Sequence, residues 1–241
     1  MDKIWVITVR ELRTFFDSLT AYILIVLFLG LSGFFTWLFG SDIFFIGQAT
    51  LQPFFSVAYW TLFFFIPALT MKMLAEEKKS GTIELLLTKA VTDWQVIFGK
   101  FLACLLLIII ALLLTLPYYI TLLWLGPIDT GVVICGYIGL ILMSTVYIGI
   151  GLFASSITSN QIVAFLLSLV IGVFFLIIFN VFANSFTGLL GEIFNYLNLQ
   201  THFDSLARGV VDTRDIIYFL SISLFALILA ETSLSKRNIV D

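Results

Sequence analysis

The sequence is poor in charge. Only 11% of its 241 residues are Asp, Glu, Lys or Arg, whereas 61% are hydrophobic and the mean hydropathy is +1.14. Soluble globular domains carry roughly 25% charged residues, so this composition excludes an ordinary water-exposed domain. The apolar residues come in runs of about 20 or more, the length with which a helix crosses a hydrocarbon core. The sequence therefore predicts an integral membrane protein whose solvent is lipid.

Motifs for catalysis and for metal binding are also missing. No G-x-x-x-x-G-K-[ST] loop is present, so the chain cannot hold the phosphates of ATP in the usual way. The single histidine, His202, has no second histidine with which to share a metal. A net charge of −3 without a basic tract offers no surface for nucleic acid. We therefore expect no enzymatic activity and no bound cofactor, and any ATP hydrolysis must take place on another polypeptide.

Six apolar runs predict six transmembrane helices in one membrane domain that covers residues 1–241. The runs are approximately 19–39, 54–74, 101–125, 131–155, 162–183 and 216–232. Each is apolar around its whole circumference, as a lipid-buried helix should be. A transmembrane β-strand would alternate polar and apolar residues, and the run 105–114 shows no such alternation. The predicted fold class is all-α integral membrane.

The basic residues predict the orientation of the chain. Six spans place both termini on one side of the membrane, and ten of the twelve Lys and Arg residues fall on that side. These ten are Lys3, Arg10, Arg13, Lys72, Lys78, Lys79, Lys89, Lys100, Lys236 and Arg237. Only Arg208 and Arg214 fall on the other side. The positive-inside rule therefore predicts that both termini are cytoplasmic.

The predicted spans themselves contain almost no charge. Apart from Lys72, two residues from the end of span two, only Glu231 falls inside one of them, close enough to its end for the carboxylate to reach the interface. Ion-coupled carriers need titratable groups at depth, so this composition argues against such a carrier. Small residues in span four, from Gly136 to Ala154, favour close packing within the chain over packing between subunits.

Two amphipathic segments flank the spans. Before span one, Ile4, Trp5, Leu12, Phe15 and Phe16 stand among charged residues, which predicts an interfacial helix. Between spans five and six, apolar residues recur at helical spacing with polar residues between them. They are Leu189, Leu190, Ile193, Phe194 and Leu197. This pattern predicts a short amphipathic helix at the outer interface.

The segment after span two is unusual for a connector. A charged turn at residues 76–79 is followed by Ser80 and Gly81, a possible helix N-cap at Thr82 and an apolar ridge at residues 83–87. One interpretation is a short helix parallel to the membrane, with which a cytoplasmic partner docks. The other is a solvated loop that only satisfies the positive-inside rule. The pattern alone does not separate the two.

The residues of this segment carry a resemblance to a known family. The run E-E-x-x-x-G-T-x-E-x-L-L, followed by D-W-x-x-x-x-G-K, resembles the signature of type-2 ABC transporter permeases. The stretches 155–165 and 202–219, together with the aromatic residues of span one, look like the gliding-motility-associated, GldF-type permeases of that family. The resemblance covers essentially the whole chain.

The resemblance implies a function and a set of partners. The chain would be the permease subunit of an exporter in the bacterial inner membrane, associated with gliding motility or secretion. It would work with two copies of a separate ATPase, which binds the ATP, and with a second permease, identical or related. The segment after span two would be the coupling helix, and its expected ATPase contacts are Glu76, Glu77, Gly81, Thr82, Glu84 and Leu85.

The segment between spans five and six invites two interpretations. Its charged residues alternate in sign, so ion pairs could hold it over the pore as an outer gate. The candidate gate residues are His202, Asp204, Arg208, Asp212 and Arg214. The alternative is a solvated loop that leads into span six. A second function also stays open at this stage, that of a membrane scaffold that anchors a gliding or secretion machine without transporting anything.

Overall fold

The computed structural model describes residues 3–38, 47–81 and 91–235, and no strand occurs in them. The helices are α1 (Lys3–Asp17), α2 (Thr20–Trp37), α3 (Gln52–Thr70), α4 (Ala75–Ser80), α5 (Asp93–Leu113), α6 (Leu116–Leu125), α7 (Thr130–Ile157), α8 (Gln161–Val173), α9 (Phe179–Ser185), α10 (Leu189–Leu197), α11 (Leu199–Ala207) and α12 (Thr213–Ser235). A π-helical turn, Phe174–Ile178, joins α8 to α9.

Six helical segments of the described chain are long and apolar enough to cross a bilayer. In order, spans one to six are Thr20–Trp37, Gln52–Ser80, Asp93–Leu125, Thr130–Ile157, Gln161–Ser185 and Thr213–Ser235. Span three is broken between α5 and α6, directly before Pro117, because a proline ring disfavours helix in the residues that precede it. The predicted all-helical fold with six spans is confirmed.

Span four is the centre of the bundle. Its helix α7 packs against α3, α5, α8, α11 and α12. A methyl group added at Gly136 would overlap the ring of Phe55, and one added at Gly151 would overlap the hydroxyl of Thr70. The small residues of this span therefore serve packing within the chain, as predicted, because they let neighbouring helices approach closely.

Spans one and five form the outer wall of the bundle. The protein itself buries only 28% of the apolar window of span one and 22% of that of span five, against 67% for span four. Leu19, Val26 and Ile162 are each more than 60% exposed. In a membrane protein these faces lie against the bilayer.

The short helices lie at the two ends of the bundle. At one end, α1 packs across the start of α5, and α4 forms the last part of span two. We call this the basic end, because Arg10, Lys72, Lys78 and Lys100 meet there. At the opposite end, α10 folds back along α9, and α11 packs on α7. The predicted amphipathic helix between spans five and six is thus present as α10.

Two spans begin earlier than the apolar runs suggested. Span three begins at Asp93 because Thr92 and Gln95 form a capping box, in which each side chain accepts a hydrogen bond from the other residue's backbone N–H. Span six begins at Thr213. Lys100 and Asp215 consequently lie within these helices, and their exposed fractions are only 1% and 7%. The N-terminal parts of these two helices therefore contain buried ionisable residues, Lys100 and Asp215, that lie just outside the predicted spans.

Candidate functional site

The residues expected to contact an ATPase separate into three groups. Glu76 is exposed on α4, whereas Glu77, the next residue, is largely buried and faces the bundle. Gly81 ends α4 in the left-handed conformation, with φ of 69°, which glycine adopts without strain. Thr82, Glu84 and Leu85 lie outside the described residues.

Glu77 belongs to a cluster of four charged side chains, Arg10, Glu11, Glu77 and Lys100, which we call the Lys100 cluster. Lys100 Nζ lies 2.7 Å from Glu77 Oε1 and 3.3 Å from Glu11 Oε1. Arg10 bonds with Glu11, and its Nη2 atom lies 3.8 Å from Glu77 Oε1. The cluster therefore joins α1, α4 and α5 at one point.

The charges of the Lys100 cluster balance, with two cations and two carboxylates. A buried ammonium group is tolerated only when anions replace its lost hydration, and here two carboxylates do so. Burial alone would raise the pKa of Glu11, but the Lys100 ammonium and the Arg10 guanidinium outweigh it and hold that pKa below its ordinary value. Glu11 is therefore a carboxylate at neutral pH.

A close contact between α1 and α5 supports this cluster. A Cβ atom at Gly99, the neighbour of Lys100, would lie 2.7 Å from Ile7 Cγ2. The hydroxyl of Thr8 lies 3.1 Å from the Gly99 carbonyl oxygen, to which it donates. Only glycine allows the two backbones to come so near, so α1 is fixed against the first turns of span three.

Span one is bonded to the same end of the bundle. Lys72, in the turn between α3 and α4, donates from Nζ to Thr20 Oγ1 at 2.9 Å. The same ammonium group lies 5.7 Å from the centroid of the Phe15 ring, within the range of a cation–π contact. The basic end thus connects α1 and α4 with the first three spans, so a force on α4 reaches each of them.

At the opposite end, one of the predicted gate residues is buried. His202 is 6% exposed, and its Nδ1 atom lies 2.6 Å from Asp215 Oδ1. Its ring stacks on Tyr218 with centroids 3.9 Å apart, and its Nε2 atom lies 2.8 Å from the Tyr196 carbonyl oxygen. The pair therefore fastens α11 to the first turn of span six and to the end of α10.

The other candidate gate residues do not form the expected chain of ion pairs within the described residues. Asp212 accepts a hydrogen bond from the backbone N–H of Arg214, which caps the start of α12. Arg208 Nε donates to the backbone carbonyl of Asp204. Burial raises the pKa of the Asp204 carboxyl, and the charge of Arg208 offsets part of that rise. Their role in a gate stays a prediction.

The geometry of His202 requires a shared proton. A carbonyl oxygen can only accept, so Nε2 must carry a hydrogen that it donates to Tyr196. A second proton must then lie between Nδ1 and Asp215 Oδ1, because two lone pairs 2.6 Å apart would repel each other.

Sequence reasoning missed Glu11 and the pairing of Asp215 with His202, although both left a signal. Glu11 falls on the same helical face as Ile4, Ile7 and Phe15, where a solvated side chain would be out of place. Asp215 stands one residue before an apolar run, in the position where a helix begins. Glu11 belonged to an apolar face, and its partner Lys100 lies 89 residues away, whereas Asp215 and His202 are only 13 residues apart.

The described chain offers no metal site, since no three of its His, Cys, Asp and Glu side chains come together in the ranges given above. Its two charged clusters hold helices together, and neither brings a nucleophile next to a base.

Comparison with known proteins adds a family. A family model described as ABC-2 family transporter protein matches residues 47–235. The matched stretch begins before span two and ends with span six, so it includes α4, Lys100 and the His202–Asp215 pair. A search of curated proteins found no match for this chain.

Proposed function

The chain belongs to the ABC-2 family of transporter proteins, and from this premise we propose how it works as a permease subunit. Members of this family are the membrane-spanning parts of ABC transporters and are not themselves catalytic. In our proposal, two copies of a separate ATPase drive this chain and a second permease, identical or related, in a bacterial inner membrane. The basic end faces the cytoplasm and receives the ATPase.

The observation that carries the proposal is the attachment of α4. This helix has one exposed carboxylate, Glu76, beside one inward-facing carboxylate, Glu77, which bonds to the buried Lys100. A loop that only served membrane topology would need no such anchor. A helix that must transmit force needs both an exposed face for a partner and a rigid link to the bundle. We therefore propose that α4 begins the coupling helix.

The mechanism follows from rigid-body movement. If the ATPase dimer binds α4 more tightly in its closed, ATP-bound state, closure shifts α4, and the differential affinity is the driving force. The Lys100 cluster passes this shift to α1 and span three as a unit. The opposite end, fastened through His202 and Asp215, is where an outer gate would open.

A link to gliding motility or secretion of material is part of the proposal. It is supported by the resemblance of residues 155–165 and 202–219 to gliding-motility-associated permeases. We propose outward transport on the same ground. The family match supports transport over a purely structural scaffold, because the matching family is one of transporters.

The first test reverses one charge on α4. We expect Glu76→Lys to weaken binding of the separate ATPase of the transporter by at least about thirtyfold, since truncating one partner of a desolvated charge pair costs roughly 2–5 kcal/mol. Affinity is measured by titrating the ATPase onto the permease in lipid nanodiscs. The matched control is Glu192→Lys, the same change on the exposed helix α10. Equal affinity for both variants would rule out α4 as the docking element.

The second test concerns sidedness. In a background where Cys104 and Cys135 are replaced by alanine, a cysteine at Ser80 should react with an impermeant maleimide only from the cytoplasm. A cysteine at Ser205, on α11, should react only from outside. The expectation follows from the positive-inside rule, because ten of the twelve Lys and Arg residues are predicted to lie on the same side of the membrane as Ser80. Reaction of both positions from one side would refute the proposed topology.

A further inference from the structure

The start of α4 is capped by a residue of another helix. Leu74 occupies the N-cap position, and its apolar side chain cannot accept a hydrogen bond from the free amides of the first turn. Ser155, near the end of α7, supplies the missing acceptor. Its Oγ atom lies 3.0 Å from the backbone nitrogens of both Leu74 and Ala75. Span four thus supplies the acceptor for two backbone amides at the start of α4, those of Leu74 and Ala75.

The same hydroxyl also holds the end of span two. Ser155 Oγ donates to the Met71 carbonyl oxygen at 3.0 Å, so all of its hydrogen-bonding capacity is used on the junction between α3 and α4. Ser155 is completely buried. Water therefore cannot replace the hydroxyl, and these directional bonds fix where α4 begins and which way it points.

The next residue extends the connection to span six. The Ser156 carbonyl oxygen accepts from Lys78 Nζ of α4 and from Ser233 Oγ of α12, the latter at 3.2 Å. One turn earlier, Gly151 lies directly against Thr70 of α3. The end of α7 is therefore bonded to α4 on one side and to α12 on the other.

These contacts connect α4 to span four, a connection that the Lys100 cluster does not make. The cluster links α4 to α1 and span three, whereas Ser155 links α4 to the central span, which packs against most of the bundle. We propose that Ser155 is a positioning residue that couples the movement of α4 to span four, and through Ser156 to span six. The inference rests on the proposed function, in which α4 receives the ATPase.

The test separates coupling from docking. The ATPase is titrated onto the permease in nanodiscs, and ATP hydrolysis gives a half-maximal ATPase concentration and a maximal stimulated rate. For Ser155→Ala we expect the maximal rate of ATP hydrolysis to fall about tenfold or more, while the half-maximal ATPase concentration stays within about threefold of the wild-type value. This pattern indicates that the residue contributes to a step after the ATPase has bound. A merely destabilised protein would yield less folded permease, with an unchanged rate for each complex.

The matched control is Ser144→Ala on the same helix. Ser144 is also completely buried, but its hydroxyl donates to Leu140 of its own helix, so its removal breaks no hydrogen bond between helices in the part of the chain that the structure describes. Should Ser155→Ala not fold, Ser155→Cys keeps the volume with a weaker acceptor and should give an intermediate maximal rate.

Four outcomes decide the matter. The expected fall in maximal rate for Ser155→Ala, with Ser144→Ala unchanged, supports the inference. A wild-type rate in the folded Ser155→Ala or Ser155→Cys protein overturns it. A change confined to the half-maximal concentration also overturns it, because Ser155 would then only shape the docking surface. If the wild-type chain itself neither binds nor stimulates the ATPase, the proposed function fails first.

Discussion

Replacing Lys100 with methionine should lower the free energy of unfolding by about 3–5 kcal/mol. The side chain is 1% exposed, and its ammonium group lies between the carboxylates of Glu11 and Glu77. Methionine fills a similar volume but leaves two partly buried carboxylates without the ammonium group that lies between them. The measurement is a denaturant titration of the purified protein in detergent micelles.

Lys79→Met is the control for Lys100→Met. Lys79 is exposed on α4, and its replacement should change stability by no more than about 0.5 kcal/mol. The dependence on pH gives a second check. The pKa of Glu11 is lowered in the folded chain, so its contribution to stability is present above the ordinary value and disappears as the pH falls through the folded value. Without Lys100 the folded pKa of Glu11 is lowered less, so the loss of stability on acidification should be smaller than in the wild type. A variant as stable as wild type would show that the cluster does not hold the basic end together.

Replacing Asp215 with alanine should loosen α11 from span six at the end of the bundle opposite the basic end. The expected loss in local stability is about 3–5 kcal/mol. His202 would remain buried with its Nδ1 atom facing no partner among the described residues. Ala207→Cys, in a background without Cys104 and Cys135, reports the opening, because Ala207 is buried at the end of α11. A loss of about 3–5 kcal/mol in local stability raises the population of the opened state by at least about a hundredfold. We therefore expect the alkylation rate of the introduced cysteine to rise by the same factor.

Asp215→Asn is the informative companion to Asp215→Ala. An asparagine amide can donate to the neutral Nδ1 of His202 while Nε2 still donates to Tyr196, so the hydrogen bonds survive without the shared proton. We expect this variant to lose only about 1 kcal/mol. If it opens as far as Asp215→Ala, the charge of the pair matters more than its hydrogen bond. If neither variant opens, the pair does not fasten α11.

The sequence predicts the spans of this protein well because lipid imposes one strong requirement. Every backbone polar group in the bilayer must be satisfied within a helix, and the residues around that helix must be apolar. Runs such as 131–155 therefore coincide with helices such as Thr130–Ile157. The ends are less predictable, because there the requirement relaxes and caps such as Thr92 with Gln95 decide where a helix begins.

The candidate site is harder to derive from the sequence, because its contacts join distant residues. Lys100 and Glu11 are 89 residues apart, and Ser155 and Leu74 are 81 apart. Motif reasoning placed Glu76 and Glu77 together on a surface, but neighbouring helix positions point about 100° apart, and only Glu76 is exposed. Nothing in the local pattern shows that a serine in span four caps α4. Such pairings follow from tertiary packing.

The unequal lengths of the spans also affect the surrounding membrane. Span four has 28 residues, or about 42 Å of helix, whereas span one has 18, or about 27 Å. The bilayer core is roughly 30 Å thick, but span four is mostly enclosed by protein, so its excess length need not deform the lipid. Spans one and five both face the acyl chains, but span one is slightly short for them, whereas span five has 25 residues, or about 37 Å of helix. Hydrophobic mismatch therefore has opposite signs at these two spans: the lipid beside span one has to thin locally, whereas span five has to tilt or meet thicker lipid.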